Sequence, residues 1–117
     1  MIKEFKKGDK IAFSNTRLVL LDFYRPSCAP CRSMEPILEK VSDEIEVVKI
    51  NVETYAEEAS RWHVRGLPTI LIVKGSFDPA GISGRGASDP ESHVVNMLTG
   101  MSDSLTLRRL IASSKGK

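Results

Sequence analysis

Leu18-Val19-Leu20-Leu21-Asp22-Phe23-Tyr24-Arg25-Pro26-Ser27-Cys28-Ala29-Pro30-Cys31-Arg32 is the stretch that decides the fold. Its first half is a near-continuous apolar run, as expected of a central strand covered on both faces. After Arg25-Pro26-Ser27 the pattern changes. Met34, Ile37, Leu38 and Val41 fall at i, i+3, i+4 and i+7, one stripe of a helix that is expected to run from Ala29 to about Glu44. Cys28 and Cys31 therefore stand at a strand-to-helix junction. They are the only cysteines in the chain, so each has one possible internal partner, and the two can form a small disulfide.

The rest of the chain extends this alternation. Ile45 to Ile50 reads as a second buried strand, and Thr69 to Val73 as a third. Between them, Thr54 to Trp62 reads as a short helix, with Thr54 as N-cap and Glu57 three residues on as a capping-box pair. Strand, helix, strand, helix, strand argues for an α/β fold with parallel neighbours joined by right-handed crossovers. Residues 75–93, with four glycines and two prolines, read as an extended loop insertion. Val94 to Leu98 fits a last strand. Ser102 or Ser104 can cap a final helix in which Leu107, Leu110 and Ile111 face inward. Residues 1–16 are polar and weakly patterned and receive no assignment. The 117 residues suit one domain.

With 41% hydrophobic and 27% charged residues, the composition is that of an ordinary globular chain rather than a disordered one. A net charge of +2, with no basic stripe interleaved with aromatics, gives no reason to expect nucleic acid as a partner. The apolar runs are too short to span a bilayer, so no membrane role is expected. Met1-Ile2-Lys3-Glu4-Phe5-Lys6-Lys7 carries charge but no apolar core, so no signal peptide is visible and a cytoplasmic setting is expected. In that setting a disulfide is more often catalytic than structural.

The cysteine pair carries chemistry. With Cys28 at the N-cap, its sulfur faces the free N–H groups and the positive end of the helix dipole. Pro30 has no N–H, so the N–H of Cys31 is the nearest donor. This environment favours a thiolate, and Arg25 and Arg32 add positive potential if close. A lowered pKa makes Cys28 the attacking nucleophile. Cys31, one turn in, becomes the resolving thiol that displaces product from a mixed disulfide. Two other readings compete. Zinc normally needs four ligands, and beyond the cysteines only His63 and His93 remain, not at ligand spacing, so no metal is expected. A purely structural disulfide would close a loop too small to stabilise much.

With these residues in view, the chain resembles the thioredoxin family. The segment Asp22 to Arg32 is similar to D-F-W-A-x-W-C-G-P-C-K. Pro36-Ile37-Leu38 resembles P-x-L, Lys49 to Glu53 resembles K-x-N-x-D, and Val64-Arg65-Gly66-Leu67-Pro68-Thr69 resembles V-R-G-I-P-T. Gly100 matches the glycine before the last helix. The chain departs from the pattern at Tyr24, Ser27 and Ala29, and in the long stretch 75–93.

The resemblance implies a thioredoxin fold, a central mixed β-sheet flanked by helices. It implies dithiol–disulfide exchange through Cys28 and Cys31 on protein substrates, with electrons supplied by a thioredoxin reductase-like donor and no cofactor beyond the redox-active disulfide. It assigns Asp22 the role of general base and acid toward Cys31, with Lys49 as its partner. Ala29, Pro30, Tyr24 and Arg32 become supports of the active site. Gly66, Leu67, Pro68, Gly100 and Met101 become the substrate-binding rim, with Pro68 following a cis bond. Trp62 is either an apolar part of that rim or packing, and His63 a surface or cap residue. A monomer is expected. The competing classes are a thioredoxin-fold binding subunit of a larger protein, and an oxidase or isomerase of exported substrates.

Overall fold

The apolar run Leu18–Tyr24 forms the central strand of the sheet, and five consecutive residues of it, Val19 to Phe23, are buried. The structure, a computed structural model, describes residues 2–6, 18–74 and 94–115. Within these, the order is β1 (Ile2–Glu4), β2 (Leu18–Tyr24), α1 (Ala29–Val41), β3 (Glu46–Asn51), α2 (Ala56–Arg61), β4 (Thr69–Lys74), β5 (Val94–Thr99) and α3 (Ser104–Lys115). The strands form one mixed sheet in the order β1-β3-β2-β4-β5. The extended loop expected over 75–93 lies outside the described residues, as does most of 1–16.

Alternation along the strands builds a core on each face of the sheet. Leu21 and Phe23 of β2 join Val48, Ile50, Leu71, Ala59 and Trp62 on the α2 side. Leu20 joins Val47, Ile70, Ile72, Met34, Leu38, Val41, Leu107 and Ile111 on the side of α1 and α3. Each Val, Leu, Ile, Phe or Met side chain among them, moved fully out of water, contributes about 1.5–3 kcal/mol. Trp62 is therefore packing: it is 4% exposed and its ring lies 6.2 Å from that of Phe23.

The expectation of parallel neighbours holds for only part of the sheet. β2 and β3 are parallel, as are β1 and β3, but β4 is antiparallel to β2 and β5 antiparallel to β4. The connection explains it. β3 ends at Asn51 beside Tyr24, and β4 begins at Thr69 beside Phe23, at the same end of the sheet. A parallel β4 would need a return along the whole strand, about 20 Å for six residues. Six-residue α2 spans only about 9 Å, so the chain re-enters where it left.

Cap positions also differ from the expectation. α2 starts after Tyr55, not at Thr54. Asn51 takes over the turn: its Oδ1 accepts the Glu53 N–H at 2.9 Å and its carbonyl accepts the Tyr55 N–H at 2.9 Å. An Asx side chain bonding two residues on competes with a capping box. α3 is capped by Asp103, whose Oδ1 accepts the Thr106 N–H at 2.7 Å, rather than by either serine. That bond holds the Asp103 carboxyl below the usual carboxylate range. α1 stops at Val41, with a turn over 42–44 where the helical stripe has already ended.

Candidate active site at the end of the sheet

β2 delivers the chain into a tight turn, in which the Cys28 N–H donates to the Arg25 carbonyl at 3.0 Å. Cys28 then has extended backbone (φ −85°, ψ 110°) and caps α1, and its sulfur accepts the Cys31 N–H at 3.2 Å. Pro30 in the first turn removes a donor that would have been orphaned there in any case. The two cysteines are joined as a disulfide with a Cα–Cα separation of 5.2 Å. Both are buried, Cys28 at 7% exposure and Cys31 at 3%. Ala29, Arg25 and Arg32 are exposed around them.

Two further loops reach the same end of the sheet. Thr69 is the register partner of Phe23 and Thr99 that of Thr69, so the residues just before β4 and just after β5 lie alongside the end of β2. The Leu67–Pro68 bond is cis. The Pro68 carbonyl accepts the Gly100 N–H at 2.8 Å, and the Thr69 hydroxyl donates to the Gly66 carbonyl. Gly100 has φ +93°, a conformation that a side chain would strain. A Cβ on Gly66 would meet the Thr99 methyl at 3.4 Å. The Ser102 N–H donates to the Met34 sulfur at 3.3 Å, tying the 100–103 loop to α1. Met101 is 60% exposed at this edge.

Beneath α1 runs a charged row. Glu4, Lys49, Asp22 and Ile70 are successive register partners across four strands and so share one face. Asp22 is 1% exposed, and among the described residues neither of its oxygens has a hydrogen-bond partner. Burial pushes its carboxyl up from 3.8 to about 7; Lys49 opposes this, while Glu4 and Glu35 add to it.

The expected Asp22–Lys49 pair is not formed as a direct contact. The Lys49 ammonium lies 3.3 Å from Glu35 Oε1 and 4.4 Å from the centroid of the Tyr24 ring, and it acts on Asp22 only through space. Tyr24 in turn donates its hydroxyl to Glu4 Oε1 at 2.7 Å. Burial, followed by that bond, raises the phenol far above its ordinary range. Glu4 and Glu35 are the residues that sequence reasoning missed. Glu35 had a signal, because it lies four residues past Cys31 on the same side of the helix. Glu4 had none before the pairing of β1 with β3 was known.

Among the described residues no group of three or more histidine, cysteine or acidic side chains could hold a metal ion. What the arrangement can do is move electrons and protons. A joined cysteine pair caps a helix, with two further loops at the same end of the sheet. A carboxyl that titrates near neutrality lies on the preceding strand. Fold and site together define the class of small α/β domains built for thiol–disulfide chemistry.

The thioredoxin family model matches residues 3–98, and the chain belongs to that family. It is 42% identical over 74 residues to chloroplastic thioredoxin Y of rice, a match covering 60% of this chain and 44% of that protein. It is 36% identical over 76 residues to a thioredoxin-like protein of Synechocystis, covering 62% of this chain and 72% of the relative. The chain thus spans under half the length of the rice relative and about three quarters of the cyanobacterial one. A thioredoxin structure from Fasciola hepatica matches with a TM-score of 0.65 at 25% identity, covering 86% of this chain and 83% of that one.

Proposed function

We propose that this chain is a protein-disulfide oxidoreductase that reduces disulfides in substrate proteins. The observation that carries the reading is the Cys28–Cys31 disulfide at the N-terminus of α1, with the Cys28 sulfur already accepting a backbone N–H. In the reduced form that N–H and the helix dipole stabilise a Cys28 thiolate. The thiolate attacks one sulfur of a substrate disulfide. A Cys28–substrate bond forms, the substrate S–S bond breaks, and one substrate thiolate leaves and takes a proton.

In the second step Cys31 gives up its proton and attacks the Cys28 sulfur. The second substrate thiolate leaves, and the Cys28–Cys31 disulfide remains. Two electrons have passed to the substrate. Asp22, ionised near neutral pH, is the general base for the Cys31 proton. Lys49 tunes Asp22 from its station at Glu35. Ala29, Pro30, Tyr24 and Arg32 shape the cysteine turn. Gly66, Leu67, Pro68, Gly100 and Met101 form the rim, where Leu67 offers backbone hydrogen bonds to an extended substrate segment. Return of the electrons requires a reductase-like donor and a reducing compartment such as the cytoplasm; the domain works as a monomer. The comparisons do not favour the alternative of a binding subunit.

Insulin reduction in dithiothreitol tests this. The wild-type chain accelerates precipitation of the insulin B chain and Cys28→Ser does not; equal rates for the two would remove the proposal.

A further inference from the structure

We propose that Glu35 is a positioning residue: it holds the Lys49 ammonium off the Asp22 carboxyl and so leaves Asp22 without an ion-pair partner. The inference deepens the role given to Asp22 above and rests on it.

Asp22 and Lys49 are Cα partners on adjacent parallel strands, where a lysine would ordinarily close on a buried carboxylate. Here the ammonium is held elsewhere, 3.3 Å from Glu35 Oε1 and over the Tyr24 ring. The ring is fixed by its hydroxyl bond to Glu4. Both Asp22 oxygens are left unpartnered among the described residues. The groups around Asp22 come from every neighbouring element. β1 supplies Glu4, β3 supplies Lys49, and β2 itself supplies Tyr24. α1 supplies Glu35, while the β4 partner is apolar Ile70.

One helix thus carries both the resolving thiol and the carboxylate that decides where the neighbouring positive charge sits. A cleft of about 120 Å³, lined by Ile2, Glu35, Leu38, Glu39 and Lys49, lies over the ion pair.

Glu35→Gln removes the competing carboxylate and frees the ammonium to approach Asp22. The midpoint of Asp22 is read by NMR from its carboxyl carbon in the oxidised protein, with Asp22→Asn identifying the signal. Glu35→Gln lowers that midpoint by about one pH unit, the scale of one close opposite charge. Glu35→Asp, which keeps the charge, stays near wild type. In a Lys49→Met background the drop caused by Glu35→Gln shrinks to less than half, because the effect runs through the lysine. An unchanged midpoint in Glu35→Gln overturns the inference, and so does an equal drop with and without Lys49. The titration needs no exchange activity. If the midpoint moves while the pH profile of mixed-disulfide resolution does not follow, the positioning role stands and the general-base role of Asp22 is what fails.

Discussion

Asp22 is the residue at which burial outweighs attraction. Its carboxyl ionises at about 7 in the folded chain against 3.8 ordinarily, with desolvation as the largest cause. The sign of the consequence for stability follows from proton counts. Between these two values the folded state holds a proton that the unfolded state has lost, so stability falls as pH rises. The contribution is fully present below about 3.8 and gone above about 7. Asp22→Asn removes this slope. In urea unfolding the variant is expected to match wild type at low pH and to exceed it above neutrality by on the order of 4 kcal/mol. A gap that does not change with pH would contradict the buried-carboxyl reading.

At the same scale the proposed reaction gives the two cysteines separable roles. Cys31→Ser leaves the attacking sulfur without its resolver, so a substrate disulfide should trap a covalent adduct, visible on a non-reducing gel. Cys28→Ser should trap none. The cysteine pair, Asp22 and the Gly66–Thr69 run were all legible in the sequence, because each is an unusual residue type in a recognisable local setting. The station of the Lys49 ammonium was not. Adjacent strands brought Lys49 to Asp22, but the choice between two carboxylates depended on where α1 placed Glu35.

At the scale of elements, helix ends were read less well than helix stripes. The stripe of α1 put Met34, Leu38 and Val41 in the core as expected, while Ile37 is half-buried. Caps depend on single hydrogen bonds among several candidates: Asp103 took that of α3 from the two serines, while α2 starts after Tyr55 with no side-chain cap and Asn51 holds only the turn before it. The end of α2 is a further case. His63 has φ +59°, its N–H donates to the Ser60 carbonyl at 3.0 Å, and the Val64 N–H donates to the Ala59 carbonyl at 3.1 Å. This is a Schellman end with a histidine where glycine is the usual residue. His63→Gly should raise stability by up to about 1 kcal/mol. A fall in the chemical-denaturation midpoint would show that the histidine side chain contributes more than its backbone conformation costs.

For the whole molecule, the disulfide is a small constraint beside the core. It closes a loop of four residues, which in the loop-entropy account is worth about 2 kcal/mol. Two buried clusters, one on each face of a five-stranded sheet, hold the rest together. Reduction should therefore lower the unfolding free energy by about 2 kcal/mol while leaving the far-ultraviolet circular dichroism unchanged. Loss of strand signal on reduction would mean that the pair is structural.

The sequence alone determined most of the strands and helices, though not β1, because hydrophobic period is a local property that the polar start of the chain lacks. It also determined where the proposed exchange chemistry sits, because two thiols at a helix start need only their own neighbours. The direction of β4 was decided by the tertiary structure, since a helix too short to span the sheet returns the chain to the end it left. The company kept by Asp22 was decided there as well. Glu4, Tyr24, Glu35 and Lys49 come from β1, β2, α1 and β3, and only packing makes them neighbours.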